Sequence, residues 1–167
     1  KEIIKIIYKT LFLILVIFSV NAHGKILSSG DANAKVTVKV FSSLTCPACA
    51  NFHSEIYYDL KKDFIDVGLV KFEHHPFPLD LAALNAEIIL RCSIIDEKKF
   101  ELLGTIYKKQ NLWAVGSDIN RINESIKKIG TEFNMKEEKM NSCLKNDKSQ
   151  DEILNQRIEA QKKYKIQ

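Results

Sequence analysis

The sequence predicts an α/β fold in which a strand, helix, strand unit is followed by a long block of helices. Three observations carry this. Val36, Val38 and Val40 alternate with Thr37, Lys39 and Phe41, the period-2 pattern of a half-buried strand. Phe52, Ile56, Leu60 and Phe64 recur every four residues, which is one apolar stripe on a helix. From Leu81 onward the strand pattern disappears and helical periodicity takes over.

Residues 23–34 are small and polar, with Gly30-Asp31-Ala32-Asn33 as a turn, and no strand is expected there. The first strand covers Lys35 to Phe41. Pro47 is suited to the first helical position, because its missing N–H is not needed there, so the helix is expected from about Pro47 to Phe64. Gly68 ends the connection, and Leu69 to His75 reads as a second strand closed by Pro76-Phe77-Pro78. With a helix between them the two strands should be parallel and in one sheet. The helical block is then read as Leu81 to Ile94, Glu97 to Gln110, Asp118 to Ile129, Met135 to Leu144 and Ser149 to Tyr164. Gly130 stands where a C′ glycine would end one helix, and Asn134 with Glu137 has the spacing of a capping box for the next. This gives four regions: 1–22 as a leader, 23–80 as the first part of the α/β domain, 81–145 as a helical insertion, and 146–167 as a helix returning to the α/β domain.

The chain has 167 residues, 46% of them hydrophobic, enough for one domain with a sizeable core. Its formal charge of +4 falls to +2 once Lys1, Lys5, Lys9 and Glu2 are set aside. No nucleic acid or anionic membrane surface is expected as a partner. The N-terminus reads as a signal peptide: Lys5 and Lys9, then the apolar run Leu11 to Val20, then Val20-Asn21-Ala22 with cleavage after Ala22. Ten apolar residues fall well short of the roughly 20 needed to span a bilayer. Export sets an oxidising compartment, in which the four cysteines are read first as disulfides.

The chemistry concentrates in Cys46-Pro47-Ala48-Cys49. A disulfide exchanger needs an accessible, stabilised thiolate and a second thiol placed to resolve the mixed disulfide. Cys46 precedes the helix, where unpaired N–H groups and the dipole favour a negative sulfur, so it is the expected nucleophile, exposed and lowered in pKa. Cys49 falls one turn inside, on the face of Phe52, Ile56 and Leu60, and is the expected resolving thiol, shielded from solvent. Zinc sites use the same spacing but call for four ligands. The other cysteines stand far apart, and His74 and His75 make a poor second pair that reads as surface residues at a strand end. No metal and no cofactor is called for. His53, four residues after Cys49, is a candidate to exchange the resolving thiol's proton, set against a half-buried histidine filling space. Cys92 lies on a stripe with Leu84, Ile88 and Ile95, and Cys143 with Met140 and Leu144, so both sulfurs should face the core of the helical block. They are read there as a structural disulfide, with two separate thiols as the alternative.

The stretch Gly30 to Val38, then Phe41-Ser42-Ser43-Leu44-Thr45-Cys46-Pro47-Ala48-Cys49-Ala50-Asn51-Phe52-His53, resembles the DsbA family of periplasmic dithiol oxidases, particularly alphaproteobacterial members. Phe77-Pro78-Leu79-Asp80 and Ser142-Cys143-Leu144 are similar too, and weaker similarity runs from about residue 25 to the end. The resemblance implies a thioredoxin-like core with an inserted helical domain. It also implies oxidation of reduced or misfolded exported proteins, and reoxidation by a DsbB-like, quinone-linked membrane protein.

The sequence departs from that family at four places. Ala48 replaces the common histidine, which should leave the thiolate less stabilised and the protein a weaker oxidant, bringing isomerase or reductase into play. Val40 stands where many relatives have a buried glutamate six residues before the first cysteine. Ala32 and Lys35 replace two prolines of the turn. The chain reaches Gln167 before the cis-proline loop and two closing strands that the family carries, so a core incomplete at the C-terminus is expected. On that expectation Val36 to Val40 and Leu69 to His75 leave an apolar edge. Exchange with small thiols should then persist while activity on proteins is weak; the other class considered is a truncated, non-catalytic binding module.

Overall fold

A computed structural model describes residues 26–93 and 98–166. The leader read over residues 1–22, and the positions of Ile94, Ile95 and Glu97, lie outside the described residues.

Among the described residues the sheet has three strands, β1 (Leu27–Ser29), β2 (Val36–Ser42) and β3 (Val70–Pro76), in the order β1-β3-β2. β2 and β3 are parallel, in register from Val36↔Val70 through Val40↔His74 to Ser42↔Pro76. β1 pairs antiparallel with β3. Two expectations are thereby corrected. Residues 23–34 do contribute a strand, too short at three residues to show an alternating pattern. β3 is the central strand and not an edge. Between β1 and β2 the turn closes as expected: Ala34 N–H bonds Asp31 O, and the Asp31 side chain accepts from Asn33 N.

Helix α1 crosses between the two parallel strands over residues 47–65, with wide π-type turns at Phe52–Ile56 and Lys61–Ile65. Those turns overturn the expected stripe. Each adds a residue to the local repeat, so the buried positions become His53, Tyr57 and Ile65, while Ile56 is 53% and Phe64 47% exposed. Tyr57 and Ile65 pack on Val70 and Phe72 of β3. Gly68, with φ at 80°, supplies the left-handed turn into the strand that a side-chain-bearing residue would resist.

The helices that follow are α2 (Leu81–Cys92), α3 (Lys99–Lys108), α4 (Gln110–Trp113), α5 (Ile119–Glu132), α6 (Glu137–Leu144) and α7 (Asp147–Tyr164). Asp80 caps α2 by accepting from Ala83 N, and Asp118 and Asn146 cap α5 and α7. The expected Glu97 to Gln110 helix breaks at Lys109, after which α4 swings Trp113 back so that its Nε1–H donates to Ile106 O. Neither Gly130 nor Asn134 takes its expected role. Asn134, with φ at 60°, is the left-handed residue that ends α5: its N–H bonds Thr131 O, and Met135 N–H bonds Gly130 O. The N-cap of α6 is Lys136, which makes no side-chain cap. Gly130 lies inside α5, where a Cβ would collide with the Met140 Sδ.

The main core joins Leu44 to Ala86, Ile89 and Leu90 of α2, Leu102, Leu103 and Ile106 of α3, and Trp113, Ile126 and Met140. A disulfide links Cys92 to Cys143, tying α2 to α6. Both cysteines are half-buried at the rim of the core and not within it. α7 returns to pack on α2 and β3, with Arg157 donating to Pro78 O at 2.6 Å. Among the described residues no helix is long and apolar enough to cross a membrane.

Candidate active site

β2 ends in Ser42, and the next three residues are fixed from several sides before the chain enters α1. Leu44 is buried in the helical core. Ser43 Oγ lies 3.1 Å from Thr45 Oγ1 and accepts from Leu79 N, and Thr45 Oγ1 donates to Asp80 Oδ2 at 2.7 Å. Asp80 therefore holds the loop with one carboxylate oxygen and starts α2 with the other. Gln110, at the start of α4, donates its Nε2 hydrogens to Leu44 O at 2.8 Å and Cys46 O at 3.1 Å. A rigid loop of this kind places the next side chain with little freedom.

Cys46 takes the N-cap position of α1 in extended conformation, with Pro47 at the first helical residue. Its carbonyl accepts from Cys49 N and Ala50 N, each at 3.1 Å. Pro47 and Ala48 are exposed, and both cysteines are half-buried free thiols. The expected contrast in exposure is thus absent, and the asymmetry is electrostatic. Burial, followed by a hydrogen bond with Cys46, pushes the Cys49 thiol up to about 11. Cys49 accordingly stays protonated at neutral pH.

His53 is placed by the same helix but joins an aromatic cluster. Its ring stacks on Tyr57 at 4.5 Å and lies 5.2 Å from Tyr107. Burial, then the neighbouring His74, lowers it to about 4, and its Nε2 has no hydrogen-bond partner. This geometry fits the space-filling alternative. A cleft beside α1 is lined by Ala50, Asn51, Ser54, Tyr58, Gly104 and Lys108, with His53 and Tyr107 at its base.

His74 is not the surface residue expected. It shares the face of Val70 and Phe72, is 2% exposed, and bonds Ser42 Oγ through Nδ1 and Glu87 through Nε2. Its neighbour His75 faces the other way and pairs with Glu73. Period-2 alternation could have found this, because His74 is in phase with Phe72. Gln110, Tyr107 and Glu87 escaped the sequence reading, and Asp80 entered it only as part of the family resemblance, since only the packing of the insertion on the loop brings them there. Among the described residues no group of three or more His, Cys, Asp or Glu is placed to hold a metal ion.

A family model described as thioredoxin matches residues 23–167. The chain belongs to the thioredoxin family. Its structure superposes on that of Wolbachia pipientis alpha-DsbA1 with a TM-score of 0.78 and 26% identity, covering 86% of this chain and 71% of that one. BdbD of Bacillus subtilis, at 21% identity, shares the fold with a TM-score of 0.67 over 85% of this chain and 77% of its own. A Rickettsia bellii protein named as a protein-disulfide oxidoreductase is 30% identical over 140 residues, 83% of this chain and 52% of that protein. A Rickettsia conorii protein so named is 31% identical over 133 residues, 80% of this chain and 46% of its own. The chain thus spans about half the length of the Rickettsia relatives it matches.

Proposed function

We propose that this chain is a thiol-disulfide oxidoreductase that exchanges disulfides with exported proteins in the periplasm, with Cys46 as nucleophile and Cys49 as resolving thiol. The carrying observation is the pair itself: Cys46 at a helix N-terminus, on a loop held by Asp80 and Gln110, hydrogen-bonded to a Cys49 thiol that burial keeps protonated. In the oxidising direction a substrate thiolate attacks Cys46 Sγ of the Cys46–Cys49 disulfide. The substrate–Cys46 bond forms, the Cys46–Cys49 bond breaks, and Cys49 leaves as a thiolate that takes up a proton. A second substrate thiolate then attacks the substrate sulfur, giving the substrate disulfide and releasing Cys46 as a thiolate. The two electrons now on the cysteine pair pass to an oxidant, for which a DsbB-like, quinone-linked membrane protein is the proposed partner.

The raised Cys49 pKa supports a division of labour, because burial disfavours the thiolate at that sulfur and so sets it apart from the attacking position. Ala48 supports a weaker oxidant than relatives with histidine there, which leaves isomerisation or reduction as the second reading. Incubating the oxidised chain with a reduced, unfolded model protein tests the proposal. Loss of substrate thiols together with gain of two thiols on the chain is expected, and Cys46→Ala should abolish both. Equal substrate oxidation by Cys46→Ala would overturn the assignment.

A further inference from the structure

One side chain of the helical insertion reaches the cysteine motif itself. α3 ends at Lys108 and α4 begins at Gln110, so Gln110 is the first residue past the break at Lys109. Its Nε2 donates to Leu44 O at 2.8 Å and to Cys46 O at 3.1 Å. Both partners are carbonyl oxygens, which only accept, so the amide must present its nitrogen to them and both of its hydrogens are used. A single amide thus bridges two carbonyls two residues apart and closes a ring across Thr45.

That ring tightens a turn whose other bonds come from within the loop and from Asp80. Cys46 N–H bonds Ser43 O at 3.1 Å, and Thr45 Oγ1 donates to Asp80 Oδ2 at 2.7 Å. Cys46 O also accepts from Cys49 N and Ala50 N, so the carbonyl that starts α1 is the one that Gln110 holds from outside. Gln110 is well anchored in its turn. Ala114 N–H bonds its carbonyl at 2.9 Å, and the buried Trp113 ties α4 to α3 through the bond from its Nε1–H to Ile106 O at 2.9 Å. A side chain carried by such an anchored element gives up little further freedom in making its two bonds.

We infer that Gln110 is a positioning residue for the cysteine pair, holding Cys46 in place in the dithiol form and so making the chain a stronger oxidant than it would be without that bridge. The inference rests on the reading of Cys46 and Cys49 as a redox pair. Both bonds are made with the two thiols free. In the disulfide form the Cys46–Cys49 bond itself ties Cys46 to the first turn of α1, and a second restraint on the same residue adds little. Reduction removes the covalent tie, and the bridge then carries more of the work of keeping Cys46 in its extended N-cap conformation. A group that stabilises the dithiol more than the disulfide shifts the redox equilibrium toward the dithiol by that difference. A Cys46–substrate mixed disulfide likewise leaves Cys46 untied from Cys49, so the bridge also sets how fast Cys49 closes on it.

The test is the equilibrium of the chain with glutathione at pH 7. Two glutathione thiols give up two electrons and two protons to the pair, the Cys46–Cys49 bond breaks, and one glutathione disulfide forms. The state of both cysteines is read by alkylation and mass spectrometry in the wild type, Gln110→Met and Gln110→Glu. Met keeps the length and donates nothing; Glu keeps the shape and turns an acceptor toward two carbonyls. Gln110→Met should shift the equilibrium toward the oxidised chain by about 3- to 10-fold, the net contribution of one hydrogen bond, and Gln110→Glu by at least as much. Both should slow release of a chromophoric aromatic thiol from its mixed disulfide with Cys46 by a similar factor. A purely structural role would weaken disulfide and dithiol forms alike and leave the equilibrium where it was. A wild-type equilibrium in either folded variant, or a shift toward the reduced chain, would therefore overturn the inference. In the wild type itself the Gln110 side-chain amide hydrogens should exchange with solvent more slowly in the reduced chain than in the oxidised one, and equal rates would overturn it without any variant. Absence of exchange between the wild type and glutathione would instead overturn the redox reading of the pair.

Discussion

His53 shows how one residue's placement decides between chemistry and packing. Spacing alone put it on the same helix as Cys49, one turn on, and that spacing serves a proton carrier and a core residue equally. The structure gives it aromatic neighbours on three sides, Tyr57, Tyr58 and Tyr107, and burial lowers its pKa from 6.5 to about 4. An unfolded chain takes up the proton near pH 6.5 while the folded chain resists it down to about pH 4. Stability is therefore full above that window and falls as the pH drops through it, by about 2 kcal/mol at pH 5. Urea unfolding at pH 7 and pH 5 should show this loss in the wild type, and His53→Phe should lessen it by a similar amount. An identical loss in both proteins would contradict the account.

At the scale of elements, two predictions concern how helices meet. Gly130 faces Met140 across α5 and α6, and both lie in a filled core. Helix propensity alone would favour alanine by about 1 kcal/mol, but overpacking costs about 1–3 kcal/mol, so Gly130→Ala should lower the urea midpoint. A raised midpoint would show that Met140 can swing aside. The Cys92–Cys143 bond closes a loop of sequence separation 51, and in the chain-entropy model it stabilises by roughly 4 kcal/mol. Replacing both cysteines by alanine should lower stability by roughly 2–4 kcal/mol without removing the Cys46 and Cys49 thiols, as unfolding and thiol titration would show. Unchanged stability would mean that α2 and α6 hold together without it.

Elements were legible in the sequence to the extent that local rules fixed them. β2, β3, their parallel pairing and the starts of α1, α2 and α5 followed from alternation, Pro47 and helical periodicity. The π-type turns of α1 did not, because a wide turn shifts phase without a marker in composition. β1 escaped because three residues carry no period. Asn134 and Gly130 were misread because the ending of α5 depends on which of two permissive residues finds room, and Met140 settles that from another helix.

For the whole molecule, the insertion acts as part of the site as well as a cover. Gln110 and Tyr107 reach the Cys46 loop and the end of β2 from the helical block, while Asp80 ties the same loop to α2. The cysteine pair was legible from four residues and their neighbours; the groups that hold and surround it were not, because they lie 34 to 64 residues away along the chain and meet it only through tertiary packing. The account's central claim is that this architecture makes the two sulfurs unequal, with Cys46 the attacking thiol and Cys49 held protonated. Brief alkylation of the fully reduced chain at mildly acidic pH, with the labelled positions mapped by mass spectrometry, tests it most directly. The account predicts that Cys46 is labelled first and Cys49 lags well behind. Equal labelling, or labelling of Cys49 ahead of Cys46, would contradict it.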